Sequence, residues 1–132
     1  MRVKDGGENM ILGTGIDIIE IERVKNVFST ERRKSRVFTS GEIECFGENH
    51  ARMAGFFSAK EALSKALGTG IRGIEFKEME ILKDSSGKPY FNMERLKPHL
   101  ERIFHKESVI VVHVTISHDR ERATAMVIIE EE

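Results

Sequence analysis

The sequence predicts an α+β domain in which a mainly antiparallel sheet packs against one long helix and associates with further copies of itself. Residues 49–67 carry helical periodicity and stop at Gly68-Thr69-Gly70. Residues 11–20 are rich in β-branched side chains. Residues 109–117 and 123–129 are apolar at nearly every position, joined by His118-Asp119-Arg120-Glu121. A chain of 132 residues, 39% of them hydrophobic, builds one core rather than two.

Along the chain, residues 1–9 read as a disordered extension and 10–132 as the single domain, with Met10 its functional start. Gly13 and Gly15 inside the first strand predict a bulge or a close backbone approach. Residues 21–28 turn helical, and the basic patch Arg32, Arg33, Lys34 and Arg36 follows. Thr39 or Ser40 caps a short helix through Phe46, with Glu42 in its first turn. Cys45, the lone cysteine, has no intrachain disulfide partner and reads as a packed, inert thiol between Ile43 and Phe46.

Gly68 suits the C′ position of the long helix. Imperfect alternation of Phe76, Met79 and Ile81 predicts a strand over 76–83. A turn over 84–89 and extended residues Tyr90 and Phe91 come next, then a helix over 94–105 in which Pro98 implies a late start or a kink. Antiparallel strands with one wet face should alternate. The two late strands do not, so both of their faces are expected to be covered, the second by a neighbouring subunit.

Charged residues make up 33% of the chain and the formal net charge is -1, which gives no global argument for nucleic acid or membrane as partner. No apolar run is long enough to span a bilayer, and a cytoplasmic protein is expected. There is no Walker sequence, no zinc-ligand spacing and no nucleophile elbow, and Gly13-Thr14-Gly15 lacks the third glycine of a dinucleotide fingerprint. A kinase or a zinc hydrolase is therefore not the expected reading.

Chemistry must come from local groupings. On a helical wheel Met53, Phe56, Phe57, Leu63, Ala66 and Leu67 form an apolar arc, with Glu61 and Lys65 together at one side. These two are either an i,i+4 surface pair or part of a metal-phosphate site. Lys60 falls inside the arc and must snorkel, pair or reach a ligand. Asp17, set among isoleucines, is either paired, metal-binding or a surface or capping acid. Two carboxylates from separate elements, with water and phosphate oxygens, make an ordinary Mg²⁺ site. Ser117-His118-Asp119 is no triad, because adjacent strand residues point to opposite faces. His118, at a strand end, suits a phosphate or a hydroxyl, whereas His113 on the other face reads as structural. Ser86-Gly87-Lys88-Pro89 either covers a nucleotide or simply joins two strands.

The segments Gly13-Thr14-Gly15-Ile16-Asp17-Ile18-Ile19-Glu20-Ile21-Glu22-Arg23, Phe57-Ser58-Ala59-Lys60-Glu61-Ala62-Leu63-Ser64-Lys65-Ala66-Leu67-Gly68-Thr69-Gly70-Ile71, Gly87-Lys88-Pro89-Tyr90 and Val114-Thr115-Ile116-Ser117-His118 together resemble the holo-acyl-carrier-protein synthases, phosphopantetheinyl transferases of fatty acid biosynthesis. The resemblance implies a homotrimer with sites between subunits. It implies Mg²⁺ held by Asp17 and Glu61, with Lys65 beside the phosphates of coenzyme A and Gly87, Lys88, Pro89 and His118 lining the coenzyme A cleft. The implied reaction is attack by a serine of the apo carrier on the β-phosphate of coenzyme A, giving the holo carrier and adenosine 3′,5′-bisphosphate. Glu61 or a metal-bound water would be the base. Arg23, Lys25, Arg32, Arg33 and Arg36 would dock the acidic carrier. Many members have arginine where this chain has Phe56, a role that Arg52 is a candidate to fill. A catalytically silent coenzyme A- or nucleotide-binding trimer is the alternative reading, and a purely structural trimer a third.

Overall fold

The computed structural model describes residues 10–68, 73–105 and 109–132. The 1–9 extension and Thr69, Gly70 and Ile71 of the predicted helix stop lie outside the described residues. In chain order the elements are β1 (Met10–Glu20), α1 (Ile21–Val27), α2 (Glu31–Lys34), α3 (Ser40–Phe46), α4 (His50–Leu67), β2 (Ile81–Lys83), β3 (Pro89–Phe91), α5 (Met93–Phe104), β4 (Ile110–His118) and β5 (Arg122–Glu131). An antiparallel sheet has the order β1-β5-β4, and β2 and β3 form a separate hairpin.

The long helix α4 lies across one face of the larger sheet. Its small residues Ala59, Ala62 and Ala66 are buried, as are Ala123, Ala125 and Val127 of β5, so helix and sheet approach closely. Gly13 and Gly15 take this furthest: a Cβ at either would overlap the carbonyl oxygen of Ala66 or Ala62. The register also shifts between Ile11 and Gly13. Both expectations for these glycines, bulge and close approach, are met. On its other side α4 packs an aromatic cluster in which Phe38 meets Phe28 and Phe46 edge-on at centroid distances of 5.4 and 5.0 Å.

Local capping follows the sequence. The Thr39 hydroxyl accepts from the Glu42 backbone N–H while the Glu42 carboxylate accepts from the Thr39 N–H, a reciprocal capping box at α3. The Asn49 side chain caps α4, and Gly68 ends it with φ of 68°. Asn92 caps α5, which starts at Met93 and contains Pro98 without a late start. Pro98 sits on the exposed side of the helix.

Two expectations are corrected. Residues 76–83 are not one strand: Phe76–Glu78 is a 3₁₀ turn and only Ile81–Lys83 is extended. The carbonyls of Phe76 and Met79 turn inward to a buried amine, which removes them from any ladder. Cys45 is exposed rather than packed, because Glu42 and Phe46, four residues apart, take the inward face of α3. The sheet is covered on one face only within a single copy: Ile11, Ile16, Ile18 and Met126 are 59%, 63%, 65% and 42% exposed.

Candidate active site

Alternation along β1 directs Gly13, Gly15 and Asp17 toward α4. Ser58, Glu61 and Lys65 are spaced along the matching stripe of that helix. The Asp17 carboxylate, with only 14% of its side chain exposed, accepts from Lys65 Nζ at 3.1 Å through Oδ1 and from Ser58 Oγ at 3.0 Å through Oδ2. Lys65 Nζ also donates to the Ile16 carbonyl at 2.9 Å. Thr124 Oγ1 donates to the Asp17 carbonyl at 2.7 Å, anchoring the backbone from β5.

Asp17 is thus a paired acid rather than a surface one, and Lys65 pairs with Asp17 rather than with Glu61. Glu61 shares a cleft of about 590 Å³ with Asp17 and has no side-chain hydrogen bond among the described residues. Burial, followed by the charge of Asp17, pushes the Glu61 carboxyl above its ordinary range, against the pull of Lys65. Glu20, Arg23 and Arg122 line the same cleft, over an apolar floor that includes Val24, Phe28 and Phe57. A second cavity, of about 490 Å³, holds Lys65 with Thr14, Gly15, Ile16 and Met126.

Among the described residues no group of three or more His, Cys, Asp or Glu side chains is placed to hold a metal. Asp17 and Glu61, two carboxylates from separate elements, nevertheless offer the oxygen donors that a hard divalent cation would need. Their mutual repulsion, offset in part by the Lys65 ammonium, suits a further cation there.

Lys60 neither snorkels nor reaches the cleft. Its side chain is fully buried, and Nζ donates to Glu42 Oε1 at 2.9 Å and to the carbonyls of Phe76 at 2.7 Å and Met79 at 3.1 Å. Burial lowers the Lys60 pKa despite the attraction of Glu42. Glu42 Oε2 accepts the Ile81 N–H at 3.0 Å, and Thr39 Oγ1 donates to Glu80 at 2.6 Å. One buried network thereby joins α4 to α3 and to the start of β2.

Other predicted residues lie apart in a single copy. His118 is on β4, and β5 separates it from β1, so two strand spacings, roughly 10 Å, lie between His118 and the Asp17 strand. Its Nδ1 meets the Asp119 carbonyl at 3.1 Å, while Asp119 Oδ1 is taken by the N–H groups of Glu121 and Arg122, so no triad forms. His113 pairs with Glu130 at 2.7 Å on the outer face of the sheet. Gly87, Lys88 and Pro89 form the β2–β3 turn, held by Asp84 Oδ1, and do not line the Asp17 cleft. Phe56 is buried in the aromatic cluster with Lys83 Nζ 6.0 Å from its ring centroid. Arg52 is engaged elsewhere, donating to the Cys45 carbonyl at 3.0 Å.

Of the basic residues, Arg23 faces the cleft, and Arg36 shares another cavity, of about 600 Å³, with Glu61; Arg33 and Arg36 also flank a smaller apolar cavity with Val27, Phe28 and Val37. Lys25 and Arg32 are simply exposed. Arg122 was not among the residues singled out from the sequence. Only the antiparallel register, which sets it opposite Glu20, brings it to the cleft.

Comparison with known proteins places this geometry. Residues 13–126 match the family model of the 4′-phosphopantetheinyl transferase superfamily. The holo-[acyl-carrier-protein] synthase of Fusobacterium nucleatum is 43% identical over 123 residues, covering 91% of this chain and 99% of that protein. The synthase of Alkaliphilus metalliredigens is 44% identical over 123 residues, covering 90% of this chain and 98% of that one. Among solved structures, a Bacillus anthracis holo-(acyl-carrier-protein) synthase in complex with CoA (3′,5′-ADP) superposes with a TM-score of 0.74 at 33% identity, covering 93% of this chain and 99% of that one. Sequence and fold agree, and the chain belongs to the 4′-phosphopantetheinyl transferase superfamily.

Proposed function

We propose that this protein is a cytoplasmic holo-[acyl-carrier-protein] synthase of fatty acid biosynthesis. It moves the 4′-phosphopantetheine group of coenzyme A onto a serine of an apo-acyl carrier protein. The observation that carries this reading is the convergence of Asp17 and Lys65, with Glu61 in the same cleft, on one side of α4. The serine Oγ bonds to the β-phosphorus as the bridging P–O bond breaks, and adenosine 3′,5′-bisphosphate departs with the electron pair. Glu61 or a water held at the metal would take the serine proton. Lys65 offsets negative charge on the leaving side. Asp17 and Glu61 would hold Mg²⁺, which when bound neutralises the pyrophosphate.

The assay is direct. The chain is mixed with apo carrier, coenzyme A and Mg²⁺, and the carrier mass is followed. Addition of the phosphopantetheine mass, lost on chelation with EDTA, is the expected result. Coenzyme A binding without transfer would instead support the silent-binder reading.

A homotrimer accounts for two further observations. The outer face of the sheet leaves Ile16, Ile18 and Met126 in water, a costly patch for a lone domain. His118 and the Gly87-Lys88-Pro89 turn also stand away from the Asp17 cleft in one copy, so a neighbouring copy would supply them to bind coenzyme A. Met126→Glu is expected to reduce the mass measured by analytical ultracentrifugation to that of a monomer, with transfer lost alongside. A fully active monomer would remove the shared-site reading.

A further inference from the structure

Arg122 stands at the first residue of β5 with a fixed backbone. Asp119 Oδ1 accepts its N–H at 2.7 Å, and its carbonyl accepts the Asp119 N–H at 2.9 Å. The same turn is tied to α1, because the Ile21 N–H donates to the Glu121 carbonyl at 2.8 Å. The β4–β5 turn and the first turn of α1 therefore form one unit, and Arg122 and Arg23 line the same cleft from its two halves. Arg23 has no acidic partner among the described residues. Among the described residues the Arg122 side chain has one ion-pair contact, at 3.4 Å to the exposed Glu121, and about half of it is open to solvent.

The cleft has a direction. Lys65 sits beside residues 14–16, which precede Asp17 along β1. Arg122 and Arg23 sit beside Ile18, Ile19 and Glu20, which follow it. In phosphoryl transfer the attacking and leaving oxygens are roughly in line across phosphorus. If Lys65 serves the leaving side, the side of Asp17 that carries the arginines is where the nucleophile arrives. The groups nearest that entrance belong to the acceptor protein and not to coenzyme A.

We propose that Arg122 is a specificity-determining residue for the acceptor. Together with Arg23 it brackets the cleft mouth and receives a carboxylate that flanks the acceptor serine. An arginine fork matches a carboxylate with two parallel N–H···O bonds, which gives orientation as well as attraction. This inference rests on the transferase reading above, because that reading supplies the serine and the acidic carrier.

Steady-state transfer and direct binding of apo carrier, measured by fluorescence anisotropy, test it together. Arg122→Ala is expected to raise KM and Kd for the carrier about 5- to 30-fold at low salt, with KM for coenzyme A unchanged. Arg122→Lys should recover part of the loss. Lys97→Ala, which removes the same charge from α5 outside the cleft, should leave carrier KM alone. Neutralising the acidic residue beside the carrier's serine should add nothing to Arg122→Ala if the two form a pair. Unchanged carrier KM and Kd, or a rise confined to coenzyme A KM, would overturn the inference while transfer by the unaltered protein stood. If the unaltered protein transfers nothing, the transferase reading fails by itself, and the anisotropy comparison still decides whether Arg122 binds an acidic carrier.

Discussion

Glu61→Gln is expected to lower the turnover of carrier modification by about 10²- to 10⁴-fold, the range for loss of a positioned proton acceptor, without loosening the fold. Among the described residues the Glu61 side chain makes no hydrogen bond, and its carboxyl is held above the ordinary range by burial and by the charge of Asp17. A folded-state pKa raised in this way means that ionising Glu61 opposes folding at neutral pH, by an amount that fades as pH falls through the raised value. A neutral glutamine of the same shape relieves that opposition, so melting temperature should stay level or rise. Activity from carrier mass and melting from circular dichroism then move in opposite directions. A variant that keeps more than a tenth of the turnover would remove Glu61 from both proton transfer and metal binding.

Lys60→Met has the opposite signature, destabilising the fold itself. It leaves the Glu42 carboxylate buried without its counter-charge and strips a donor from the carbonyls of Phe76 and Met79. Removing one partner of a buried ion pair typically costs about 3–5 kcal/mol, a large share of the roughly 5–15 kcal/mol by which a domain is stable. Urea denaturation at fixed protomer concentration reads this as a fall in midpoint at unchanged slope. Lys60→Met combined with Glu42→Gln should recover part of the loss, because the stranded charge is gone. Full recovery is not expected: the Thr39 and Ile81 N–H groups both depend on the Glu42 carboxylate. A single variant as stable as the unaltered protein would mean that the pair offsets only its own desolvation.

These two neighbours show how far a helical wheel reaches. It separated Glu61 and Lys65 from the apolar arc and marked Lys60 as an anomaly inside it, since side-chain direction along a helix follows from backbone period alone. It could not name the partner of Lys60, because Glu42 is eighteen residues away on α3 and meets it only once both helices pack. The same wheel suggested a Glu61–Lys65 pair. Packing gave the lysine to Asp17, whose carboxylate comes from another element and is held in place by Ser58.

Residues 76–83 went astray for a related reason. Their alternation is real at Ile81–Lys83, but the preceding carbonyls are recruited by a buried ammonium that no local pattern reveals. Cys45 read as packed because its neighbours are apolar. In a short helix the neighbours that share a face lie three or four residues away, and adjacent ones point elsewhere.

By itself the sequence pointed to the first strand, the long helix with its stop at Gly68, the two late strands, a cap at Thr39 or Ser40, and the close approach at Gly13 and Gly15. Each of these depends on backbone period, side-chain size or a contact within a few residues. Tertiary structure alone decided which charges pair, which face of the sheet is left bare, and that Arg122 joins Arg23 at the cleft. Those outcomes depend on antiparallel register and helix packing, which bring together residues as far apart as Asp17 and Thr124. In such contacts desolvation and charge select among partners that local spacing leaves equivalent.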